Sequence, residues 1–152
     1  MSQFFSLRSR IAAILLVLGG FTLAGCGGED VTTKTRAGLL GIWLGHGQPG
    51  EINNIVYLIN FRDDGTFTSD FREYEGCNVS QNHIESGTWS VKENVQDIVT
   101  TVVDGQKVNF TNVYTIERLT PTEHDARLKT DNYLFSVTRA DKFEFPPCRE
   151  GT

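Results

Sequence analysis

His46, His83 and His124 are the side chains that could do chemistry near neutral pH, and each stands close to a carboxylate: Glu51, Glu85 and Asp125. A histidine beside an acid can act in general acid–base catalysis. With cysteine nearby it can also hold a metal, and Cys77 lies six residues before His83. The spacing supports neither role. There is no CxxC or HxxxH pair of metal-ligand type, and no H-E-x-x-H, G-x-S-x-G or phosphate loop. All three histidines fall in segments predicted to be loops. The loop His46-Gly47-Gln48-Pro49-Gly50 is glycine-rich, but it lacks the lysine and following helix of a phosphate cradle. No catalytic residue, cofactor or metal is expected, and the function is that of a non-enzyme.

The cysteines carry a different chemistry. Arg8 and Arg10 precede an apolar run, Ile11 to Thr22, which ends in small residues. This is the charged, apolar and small-residue order of a secretory signal. A retained membrane span would need about 20 apolar residues, more than this run supplies. The four residues that follow, Leu23-Ala24-Gly25-Cys26, resemble the lipobox of bacterial lipoproteins. That resemblance implies a signal peptide over residues 1–25, cleavage before Cys26 and diacylglycerol on the Cys26 sulfur. Its physical logic is additive. Each buried methylene is worth about 0.8 kcal/mol, and stable anchoring takes more than one acyl chain. Gly27 follows the cysteine where the family often has an aspartate for inner-membrane retention. The expected location is therefore the periplasmic face of the outer membrane, with the inner membrane and the cell surface left open.

Removing residues 1–25 takes Arg8 and Arg10 with it and leaves 12 basic against 19 acidic side chains, a formal −7. Nucleic acid is thereby excluded as an expected partner. Cys77 and Cys148 remain. An exported chain pairs such cysteines, and a loop of about 70 residues would contribute roughly 4 kcal/mol in the chain-entropy model. A Cys77–His83 metal site is the competing reading.

Residues 26–38 read as a flexible lipidated tether of glycine, threonine and charged residues, with a short helix near 33–40 as the alternative. Residues 39–152 read as one all-β domain. Strands are predicted at 39–45, 54–62, 66–74, 84–92, 95–103, 107–117, 127–139 and 142–145. A polar loop is expected at 75–82, and a break, or a short helix, around 120–126. Asp64-Gly65 and Asp104-Gly105 supply hairpin turns. Successive hairpins without helical crossovers predict an antiparallel up-and-down β-barrel of about eight strands.

Gly41-Ile42-Trp43 resembles the G-x-W of lipocalins, and Thr130-Asp131-Asn132-Tyr133 is similar to their T-D-x-Y element. Gly87-Thr88-Trp89 resembles a second glycine–tryptophan strand of small bacterial lipocalin-like domains. The resemblance implies a short lipocalin-like (calycin-type) barrel, with Trp43 closing one end and Arg139 lying across it. Alternation then places Tyr57, Phe61, Phe67, Phe71, Phe110 and Tyr114 on the inner face. Thr100, Thr111, Ser86 and Asn112 would add polar groups there. Two functions follow. Those aromatics line a cup for a small hydrophobic ligand, or they fill a solid core and the chain meets an envelope protein through its rim loops.

Overall fold

The computed structural model describes residues 30–47 and 54–147. Helix α1, Val31–Leu39, leads into eight strands: β1 Gly41–His46, β2 Ile55–Phe61, β3 Thr66–Glu75, β4 Asn78–Lys92, β5 Val95–Val103, β6 Gln106–Leu119, β7 Glu123–Leu128 and β8 Leu134–Ala140. Each strand pairs antiparallel with the next, and β1 pairs with β8 to close an eight-stranded barrel. The expected all-β, up-and-down fold is the observed one. Closure leaves no unpaired sheet edge.

Local chemistry explains the hairpins. Asp104 and Gly105 both take positive φ, at 50° and 78°, as the mirror-image two-residue turn between β5 and β6 requires. In the β2–β3 turn, the Asp64 carboxylate accepts from both the Thr66 N–H and the Thr66 hydroxyl, at 2.9 and 2.7 Å. That bonding holds its pKa below the usual carboxylate range.

Five segments differ from expectation. The segment 26–38 is not a tether throughout, because α1 packs across one end of the barrel and buries Leu39 completely. Val31-Thr32-Thr33 is a poor helical opening, and a nine-residue helix is marginal alone, so docking must stabilise it. The loop expected at 75–82 shrinks to a turn at Gly76 and Cys77, since β4 begins at Asn78 and pairs with β3 through a bulge at Glu73/Tyr74. Finally, Arg127 to Arg139 is not one strand. The Asp131 carboxylate accepts from the Tyr133 N–H at 3.0 Å, and Asn132 adopts a φ of 63°, so Thr130-Asp131-Asn132-Tyr133 is the β7–β8 turn. The eighth strand is therefore Leu134–Ala140. Residues 142–145 form no strand, and the expected break at 120–126 overlaps β7.

Trp43 lies at the closed end. Its indole N–H donates to Leu39 O at 2.8 Å, and it has no exposed surface. The Arg139 guanidinium sits 3.8 Å from the ring and donates to the carbonyls of Gly38 (2.8 Å), Leu40 and Pro121 (3.1 Å). Gly41 makes this possible. It sits at φ 105°, and a β-carbon there would meet Arg139 Nη1 at 2.9 Å. Further contacts seat α1 on neighbouring turns: Arg36 donates to Asp63 O and covers the Trp89 ring, while the Thr32 hydroxyl accepts from the Glu93 N–H.

Leu58 faces away from the interior yet is only 1% exposed, and the chain after β8 returns far enough to lay Phe145 3.9 Å from the Arg72 guanidinium.

Arg139→Ala will lower unfolding stability by roughly 3 kcal/mol, because charged donors and a cation–π contact are lost together. Arg139→Lys will restore under half of it, since an ammonium cannot span diverging carbonyls. Urea denaturation of the two variants checks both values.

Candidate functional site

The inner face of the barrel encloses a cavity of about 250 Å³. Its depth is set by the closed end, and its walls by strand alternation. Tyr57, Ile59 and Phe61 come from β2, and Phe67, Ser69 and Phe71 from β3. The remaining strands β4 to β8 contribute the far wall. Tyr57 and Phe71 stack at 5.2 Å between centroids, and Phe135 meets Tyr57, Tyr114 and Tyr133 edge-on. Gly45 provides the room for this arrangement: a β-carbon there would lie 2.2 Å from the Tyr57 ring.

Five of the six aromatics expected on the inner face line this cavity: Tyr57, Phe61, Phe67, Phe71 and Tyr114. Phe110 does not. It pairs with Thr100 near the β5–β6 tip and is 41% exposed, above the part of the wall that encloses the cavity. Thr100 and Asn112 reach the interior as expected, whereas Thr111 and Ser86 are not among the lining residues. A barrel filled solid by its aromatics is not what these side chains build.

The histidines separate into three situations. His46 is exposed at the end of β1. His83 stacks on Phe71 at 4.6 Å, with Nε2 3.4 Å from Glu85 Oε1. His124 belongs to β7 rather than to a loop. It is 4% exposed at the cavity floor, with its ring 5.6 Å from Trp43. Burial pushes the His124 pKa down to about 4, against a smaller upward pull from Asp125. Neither ring nitrogen has a hydrogen-bond partner, and the Tyr57 hydroxyl and Gln96 Nε2 are likewise buried and unpartnered. Burial also raises the Tyr57 phenol well above its ordinary value.

Sequence reasoning did not place Gln96, His124 or Glu85 on the inner face of the barrel. Gln96 keeps phase with Ile98 and Thr100, and Glu85 with Gly87 and Trp89, so period-two alternation carried a signal for both. His124 had none, because the strand holding it was read as a break. Among the described residues no three His, Cys, Asp or Glu side chains gather as a metal site. Cys26 and Cys148 lie outside the described residues. Cys77 lies in the β3–β4 turn and is not free of partners.

Comparison with known proteins decides the family. A family model of the lipocalin-like domain matches residues 31–123. The chain belongs to the lipocalin-like domain family. The match begins at α1, so in this lipocalin-like domain the closing helix is part of the domain. No curated protein and no solved structure matches the chain. The lipocalin-like barrel is a ligand-binding type of fold.

His124 gives this lipocalin-like domain a testable acid sensitivity. A buried neutral imidazole binds its proton less readily folded than unfolded, so stability present at neutral pH is lost as pH falls from about 6.5 towards about 4. The loss between pH 7.5 and pH 5 will be roughly 2 kcal/mol in urea denaturation, and His124→Phe will flatten that pH dependence.

Proposed function

We propose that this chain is a lipid-anchored, non-catalytic binding protein of the bacterial envelope whose barrel holds one small, largely apolar molecule. The cavity of about 250 Å³ carries this reading. A cavity of about 150 Å³ admits benzene, so this one suits a body of about ten non-hydrogen atoms. That size excludes full enclosure of a long acyl chain. Aromatic walls with a few polar groups are the usual composition of such sites.

The anchor is proposed on Cys26, and the fold gives it a direction. Asp30 leads into α1 at the closed end. The backbone from Cys26 to Asp30 spans at most about 14 Å. Acylation at Cys26 would therefore hold the closed end against the bilayer and turn the open rim away from it. The ligand would then be exchanged with the aqueous compartment rather than drawn from the lipid below. Pairing of Cys77 with Cys148 would tie the β3–β4 turn to the segment that follows β8, and Phe145 already lies beside β3 at Arg72.

Two measurements test this. A clickable palmitate analogue fed to cells expressing the chain will label it, and Cys26→Ser will remove the label. Labelling that persists in the variant would place the acyl group elsewhere, and no label in either would end the anchor. Titration with 2-naphthol will saturate at one molecule per chain, and Ile98→Trp, which fills the cavity, will reduce affinity at least tenfold with the far-ultraviolet circular dichroism unchanged. Equal binding by the two proteins would place the probe outside the barrel.

A further inference from the structure

The cavity is electrically lopsided. Among the described residues that line it, Glu85 is the one carboxylate, and neither lysine nor arginine is present. Its side chain is 19% exposed. Among the described residues its two oxygens have two polar contacts: the Thr100 hydroxyl, which donates to Oε2 at 3.3 Å, and His83 Nε2, which lies 3.4 Å from Oε1. Both contacts are long for bonds to an ionised group. The Arg139 guanidinium cannot answer it, being engaged with Trp43 and three carbonyls at the closed end. The carboxylate is felt across the cavity: the Tyr114 phenol is pushed up to about 12, first by burial and next by the charge on Glu85.

A carboxylate drawn into an apolar wall is stabilised by a cation with hydrogen-bond donors. The aromatic rings around it, Tyr57, Phe71, Tyr114 and Phe135, attract a cation to their faces as well. We infer that the barrel selects a compact organic amine, its ammonium group set against Glu85 and its apolar body of about ten non-hydrogen atoms laid among these rings. The rival is an anion received by the unpartnered Tyr57 hydroxyl, Gln96 amide and His124 ring. Those groups are neutral, and an anion in the same cavity would face the charge on Glu85, so the amine is favoured. The neutral groups remain free to serve a hydroxyl or carbonyl elsewhere on the ligand.

This inference rests on the proposed binding reading, and three probes of matched size separate the two. Calorimetric titration of the full chain at pH 7.5 with 2-phenylethylamine, 2-phenylethanol and phenylacetate will rank the amine first, about tenfold or more tighter than the alcohol, and the acid last. Glu85→Gln will bring the amine down to the level of the alcohol. Equal binding of amine and alcohol by the unmodified chain would overturn the amine inference while leaving the cavity reading intact. Phenylacetate binding best would overturn it in favour of the buried donors. No binding of any probe would remove both. The ranking on the unmodified chain decides the matter even where the variant fails to fold.

Discussion

The Arg139 guanidinium is the contact on which this small barrel depends. It lies over the Trp43 ring, and its forked N–H groups reach carbonyls from the end of α1, from the link into β1 and from the β6–β7 turn. Residues far apart in sequence are joined by one planar cation. Burial lowers its pKa, but a guanidinium stays charged at any ordinary pH, so the clamp does not open with pH. The indole beneath it spends its only donor on Leu39 O, which fixes the helix that Arg139 also holds. Helix, first strand and last strand are thus secured at one end, and the cavity lies inside the barrel beyond them.

This division of labour accounts for where polarity is tolerated. At the closed end every polar group just described has a partner. Inside the barrel, from the cavity floor upwards, the Tyr57 hydroxyl, Gln96 Nε2 and both His124 nitrogens have none. Leaving such groups unsatisfied costs about 1–3 kcal/mol each. A domain that needed only stability would have apolar residues there, because apolar replacement of buried polar groups is often neutral or better. Their placement around one cavity, beside a carboxylate with weak partners, is not accounted for by the stability of the fold alone.

Most of the architecture was legible because its signals are local. Asp104-Gly105 between two alternating runs marks a hairpin whatever lies elsewhere, and Tyr57, Phe61, Phe67 and Phe71 keep the two-residue phase of a strand with one face inside. The failures share a physical cause. Val31–Leu39 is rich in threonine and becomes helical only by docking. Asn78 to Asn82 is polar because both its faces are wet, so nothing marked it as the continuation of a strand. Asp131-Asn132 looked like a motif inside a strand, when its value is the positive φ of Asn132 and the turn it makes. The cavity was harder still. Whether aromatics meet or leave a gap depends on register across the barrel, and Phe110, in phase with Tyr114 but beyond the enclosed level, shows that phase alone does not fix height.

Gly45 holds the last consequence. The phenol of Tyr57 leans into the space above that α-carbon. The cavity thus owes part of its width to a hydrogen atom on the neighbouring strand. Any larger group at that position would drive the ring inward and narrow the space. The dimensions of the interior are therefore set in part from beneath the Tyr57 ring, by a residue that does not itself line the cavity.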